Sequence, residues 1–223
     1  MSATVAGRPR TCQAGAVAEM AMFPLGSVLL PAMPLRLRVF EERYLLMLSE
    51  LVAAEDARFG VVLIERGWEV GGGDARFGVG TVAEILHVGA EDGVVGLAAQ
   101  GASRFEIVQW LDDAPHPRAE VRELPDLEWD SALEPLRDET EQLVRRTLAA
   151  ASEFAETGWS PDVELADDPV DRCWQLAGIA PLGDFDRLSL LRTASLEELL
   201  TRTAELTRDA AVPFSTPWPE DEA

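Results

Sequence analysis

The chain has 223 residues, 47% of them hydrophobic, with a mean hydropathy near zero, so it reads as a globular protein that buries a sizeable core. Its formal net charge is −21, from 40 acidic residues against 19 arginines and no lysine. That balance disfavours non-specific nucleic-acid binding, which rests on cations neutralising phosphates, and adsorption to an anionic membrane. The charge is uneven: residues 1–110 carry a net −4 and residues 111–223 a net −17. Cys12 and Cys173 show no metal-ligand spacing and make no disulfide framework, so the expectation is a reducing cytoplasm.

Residues 1–21 contain Arg8 and Arg10 but no long apolar run, and Glu19 interrupts the one candidate, so they do not read as a secretory signal. They are expected to form a disordered tail, with Met20 or Met22 as the useful start. The stretch Phe23–Tyr44 then gives two apolar extended runs around a Pro-Ala-Met-Pro corner. Leu35, Leu37 and Val39 alternate with Pro34, Arg36 and Arg38, the period-two pattern of a strand with one buried face. From Glu41 the period lengthens: Tyr44, Leu45, Leu48, Leu51 and Val52 mark one helix face.

Further strands are predicted at Phe59–Glu65, Phe77–Val88, Val94–Ala99, Arg104–Leu111 and Arg118–Leu124. Gly71-Gly72-Gly73 and Ala90-Glu91-Asp92-Gly93 supply turns, and Gln100-Gly101-Ala102-Ser103 separates the fourth of these runs from the third. About seven strands and one helix fit a small barrel or curled sheet. After Pro125 helical periodicity takes over, with Leu133, Leu136, Leu143, Val144, Thr147, Leu148, Ala151 and Phe154 on one face. Further helices are expected at Val170–Gly178, at Asp184–Leu191 and after the capping box Ser195-x-x-Glu198. The expected fold class is α+β: a β-rich pseudo-barrel lobe at 22–125 with one inserted helix, an all-helical lobe at 128–210, and an acidic, Pro-rich tail at 211–223.

This order of elements resembles the Lon N-terminal domain family. The residues that carry the likeness are Phe23-Pro24-Leu25, Pro31, Pro34-Leu35, Phe40-Glu41-x-Arg43-Tyr44, Phe59-Gly60-Val61-Val62 and Val79-Gly80-Thr81-Val82-Ala83-x-Ile85. They continue through Gly101-x-x-Arg104-Phe105, Ala119-Glu120-Val121-x-x-Leu124-Pro125 and Pro181-Leu182-Gly183-x-x-Asp186-Arg187-x-x-Leu190-Leu191. Individually weak, they agree in order and spacing over roughly 22–208. The resemblance implies a PUA-like β lobe and the recognition of unfolded or partly folded polypeptide segments, by a stand-alone module acting as an adaptor or sensor, with a separate protease as a further partner. The motif residues themselves have a structural reading: Phe23, Leu25, Phe40, Tyr44, Phe59 and Phe105 as core, and Arg104 paired with an acid or a carbonyl at a barrel rim.

No catalytic, cofactor or metal site is expected. A P-loop ATPase and a Ser–Lys protease both need a lysine, which this chain does not have. His87 and His116 lack ligand-spaced neighbours, and Cys173 beside Trp174 reads as an inert packed thiol. The expected peptide contacts are Trp68, Phe77 and Trp110, aromatics at loop or strand ends. No membrane or nucleic-acid partner is expected. The alternatives are an RNA-binding PUA-like protein, with Arg36, Arg38, Arg66, Arg76 and Arg104 as a basic stripe, and a small-molecule-binding barrel.

Overall fold

A computed structural model of the chain describes residues 2–4, 16–54, 56–64, 76–91, 94–153 and 158–215. It divides into two compact units, Met1–Asp126 and Leu127–Ala223.

Among the described residues the first unit holds β1 (Ser2–Thr4), β2 (Val17–Leu25), β3 (Pro34–Val39), α1 (Glu42–Ala53), β4 (Arg58–Ile64), β5 (Arg76–Glu91), β6 (Val94–Trp110) and β7 (Arg118–Glu123). The strand order is β1-β5-β4-β2-β7-β6-β3, and β5 also pairs with β6, so five strands close into a ring. The β2–β4 pair is parallel and the other pairings are antiparallel. Strands β5 and β6, of 16 and 17 residues, outrun the ring. Their turn-proximal halves carry β1 on one side and β3 on the other, a four-stranded extension in the order β1-β5-β6-β3.

The ring is filled by side chains, as expected of a small barrel. Met22, Val62, Val82, Phe105, Ala119 and Val121 form a buried cluster. Phe105 occupies the middle, with Gly60 and Gly80 beneath its ring: a Cβ on either would come within 2.9 Å of the Phe105 Cζ. Phe23 stacks on Tyr44 of α1 with ring centroids 3.9 Å apart and lies against Phe59, which ties the helix to the barrel.

Two expectations are corrected here. Val17–Ala21 pair with Arg118–Arg122 of β7, and Ser2–Thr4 pair with His87–Gly89, so the tail expected over 1–21 does not extend as predicted. The first residues of β2 are exposed, so their sequence shows no apolar alternation to read. The break expected at 100–103 is likewise absent, and β6 runs straight through. Gly101 there marks a close approach rather than a chain reversal. Its N–H donates to the Met33 carbonyl at 2.9 Å, and its own carbonyl accepts from Ala32 N–H at 2.8 Å. A Cβ at this position would lie 2.2 Å from the Leu30 carbonyl oxygen. The Leu30–Met33 corner is itself a turn closed by Met33 N–H donating to Leu30 O at 3.3 Å, with Ala32 at φ 59° where a type II turn ordinarily takes glycine. Gly101→Ala is expected to cost about 2–3 kcal/mol, read as a lower urea midpoint at unchanged m.

The second unit holds a 3-10 turn (Ser131–Leu133), α2 (Glu134–Ser152), α3 (Pro169–Ile179), α4 (Asp184–Leu190) and α5 (Leu196–Ser215). Its helix starts are written in local chemistry. Asp168 accepts N–H bonds from Val170 and Asp171, and Ser195 Oγ accepts from Glu198 N–H while the Glu198 carboxylate accepts from Ala194 N–H. The tail expected over 211–223 does not begin at 211, because α5 continues to Ser215 through Pro213. So near the helix end, few further bonds depend on the proline's missing N–H. Val144, Leu148, Leu176, Leu190, Leu199 and Leu200 make the core of this unit. Thr140 and Thr207 join them by bonding their hydroxyls to the carbonyls of Leu136 and Thr203 one turn back. Cys173 is fully buried, and burial pushes its thiol up to about 11, so it packs as an inert hydrophobe.

Candidate functional site

Of the three predicted peptide contacts, Trp68 lies outside the described residues. Phe77 is half-buried near the start of β5. Trp110 is half-buried at the end of β6 and packs against the barrel cluster, so much of its ring is committed to the core rather than free as the sequence reading expected. The two share one end of the barrel: the β5–β6 ladder closes at Val79 opposite Glu106, with Phe77 and Trp110 beyond it on their strands. Val108, 44% exposed, lies at the same end, so three partly exposed apolar side chains stand at this rim, beside the exposed Gln109.

A cleft of about 310 Å³ opens between β2, β7, α1 and the turn into β4. Its cations are already neutralised. Arg118 reaches Glu19 at 2.7 Å, and Arg58 lies 3.3 Å from Asp56 and 4.0 Å from Glu123. Glu50 on the cleft wall contacts His116 Nε2 at 2.9 Å, while His116 Nδ1 faces the Pro117 carbonyl at 3.2 Å. With 3% of its side chain exposed, His116 fastens α1 to the segment before β7 and presents no free nitrogen to a substrate. Arg104 is also structural: it is buried, donates to the Pro125 carbonyl at 2.8 Å, and its desolvation lowers its pKa against the opposing pull of Asp126. It therefore does not join Arg36 and Arg38 in a surface stripe.

The outer face of β3 differs from both. Pro34, Arg36 and Arg38 are exposed, and Phe40, the next residue on that face, is 72% exposed. The sequence expectation that Phe40 belongs to the core is thus corrected: Val39 turns inward and Phe40, one residue on, points out. Residues opposite the arginines on β6 are small, Ala98 facing Arg36 and Gly96 facing Arg38. The signal for this face was present in the sequence as alternation, since residues sharing parity with the arginines must share their side of the strand.

A five-stranded ring with one inserted helix, followed by a helical unit, is an architecture shared with solved Lon N-terminal domains. A Lon N-terminal domain protein from Xanthomonas campestris superposes with a TM-score of 0.60 at 27% identity, over 83% of this chain and 96% of that one. The N-terminal domain of the Mycobacterium avium complex Lon protease superposes with a TM-score of 0.59 at 18% identity, over 86% and 99%, a likeness of fold. No curated protein matches the chain. The family model for the ATP-dependent protease La (LON) substrate-binding domain matches residues 19–209, and the chain belongs to that family.

Proposed function

We propose that this protein recognises unfolded or partly folded polypeptide segments without catalysing a reaction on them, as an adaptor or sensor in proteolysis or protein quality control. In this reading it is cytoplasmic and hands its clients to a separate protease. The observation that carries the reading is the LON substrate-binding domain spanning residues 19–209. The partly exposed Phe77, Val108 and Trp110 at the barrel rim offer apolar contacts for such a segment, and Trp68 is assigned to it by sequence. The alternatives draw less support: the barrel interior is filled with side chains, and Arg104 is spent on Pro125.

The test is binding of the full chain to a reduced, alkylated model protein, followed by fluorescence anisotropy. Dissociation constants of about 1–10 μM are expected, weakened about fivefold or more by Val108→Ser at unchanged melting temperature. Absence of binding at about 100 μM chain overturns the reading.

A further inference from the structure

We propose that the free edge of β3 is a docking strand for an acidic, extended polypeptide segment, which would add to the sheet by β-augmentation. The inference rests on the polypeptide-binding reading above and names a surface and a partner chemistry for it.

Strand β3 ends the sheet order and pairs on one side, with β6. Among the described residues, no backbone group of Pro34–Val39 bonds to anything beyond that ladder. Its other side therefore presents a row of backbone donors and acceptors, the template that strand addition uses. Leu35 and Leu37 are half-buried on the inner face, leaving apolar surface beside the open edge.

The charges on this edge identify the partner. On β7 both arginines are matched by acids on neighbouring strands. Arg118 of β7 meets Glu19 of β2 at 2.7 Å, and Arg122 of β7 meets Glu106 of β6 at 2.6 Å. Arg36 and Arg38 differ from these: exposed, they face Ala98 and Gly96, and neither makes an ion pair among the described residues. Two residues apart on a strand, they stand about 7 Å from each other, the spacing of alternate side chains on an incoming strand. Charged side chains on an edge also serve to block aggregation, but acids would do that in a chain of net −21 without creating an attractive field for acidic partners. A second copy of this chain is a poor occupant, because antiparallel β3–β3 pairing gathers four arginines. The segment that fits carries Asp or Glu at alternating positions to meet Arg36 and Arg38, then an apolar residue to cover Phe40, which is 72% exposed.

The experiment uses the full chain and a fluorescein-labelled octapeptide of alternating Glu and Val ending in Leu. Two controls replace Glu with Lys or place Pro at two central positions. Binding to the acidic peptide is expected, with about tenfold or greater loss for Arg36→Glu/Arg38→Glu, for the Lys peptide and for the Pro peptide. Arg36→Ala/Arg38→Ala and Phe40→Ser serve as milder variants, and all three should keep the wild-type melting curve. Equal binding of the acidic peptide to wild type and Arg36→Glu/Arg38→Glu overturns the proposal. So does tolerance of the Pro peptide, or an RNA hairpin that binds through the same arginines in place of the peptide. Failure here with retained binding of the unfolded model protein leaves the polypeptide reading intact and removes only the β3 edge. Failure of both removes both.

Discussion

Gly80→Ala is expected to cost the β unit about 3 kcal/mol or more, and no change at Phe105 is expected to restore it. A Cβ at Gly80 would lie 2.2 Å from the Val61 carbonyl oxygen, 2.7 Å from Phe105 Cζ and 2.8 Å from Val62 Cγ1. The shortest of these contacts is to backbone in β4, where Val61 and Val62 pair with Thr81 and Gly80, so relief requires the strands themselves to move. Gly60 provides the internal control. Its Cβ would meet Met22 Sδ at 2.6 Å, Met22 Cε at 2.8 Å and Phe105 Cζ at 2.9 Å, all side-chain atoms. Gly60→Ala is therefore expected to cost about 1–3 kcal/mol and to couple with Phe105→Leu by about 1–2 kcal/mol in a double-mutant cycle. The Gly80→Ala cycle with the same partner should show no more than about half that coupling, because the carbonyl clash survives the smaller side chain. Urea denaturation of the three single and two double variants decides it. A Gly80→Ala chain that Phe105→Leu fully restores would show that the ring of Phe105, not the β4 backbone, sets the limit.

The same geometry explains what the sequence could and could not tell. Strands with one buried face were legible because side-chain parity is strict: Leu35, Leu37 and Val39 point opposite to Arg36 and Arg38 in the structure as in the alternation. Helix starts were legible where a side chain both marks and makes the cap, as Ser195 and Glu198 do. By contrast, Ser131-x-x-Glu134 has the spacing of a capping box, yet the side-chain cap at the entry to α2 comes from the neighbouring Asp130, whose carboxylate accepts from Ala132 N–H at 2.9 Å. Residues 100–103 read as a break between two strands because a glycine permits both an interruption and a close approach. Only the distant Leu30–Met33 corner distinguishes the two. Phe40 was misread for a related reason: an aromatic between a strand and a helix has no periodic neighbour to fix its side. The docking edge was half visible. The sequence showed two arginines of one parity, but that no acid sits opposite them follows from the β3–β6 register, which a local pattern does not contain.

Glu141→Ala is expected to destabilise the helical unit by about 2–3 kcal/mol, although it removes a single carboxylate. Glu141 on α2 has 14% of its side chain exposed and receives two guanidinium groups. Arg145 Nε donates to it at 2.9 Å from one turn further along α2, and Arg172 of α3 donates through Nε at 3.0 Å and Nη2 at 3.1 Å. Arg145 then spends its remaining donors on the connection between the helices, bonding the carbonyls of Pro161 and of Val163, the latter at 3.1 Å. One acid thereby orients the arginine that supplies hydrogen-bond donors to an irregular segment and holds the arginine that joins α2 to α3. Truncating it leaves two cations facing each other; a fully buried pair broken this way costs about 3–5 kcal/mol. The arginine side chains here are 27% and 32% exposed, so water screens part of that penalty and the lower figure applies. Arg145→Lys keeps the charge yet gives up the fork that reaches Glu141, Pro161 and Val163 together, and is expected to cost about 1–2 kcal/mol. Urea melts of both variants, followed by far-ultraviolet circular dichroism, measure the two costs. Glu141→Ala and wild type unfolding at the same urea concentration would mean that the arginines find equivalent acceptors without Glu141, which would make packing of Val144, Leu148 and Leu176, rather than this charge cluster, what holds α2 to α3.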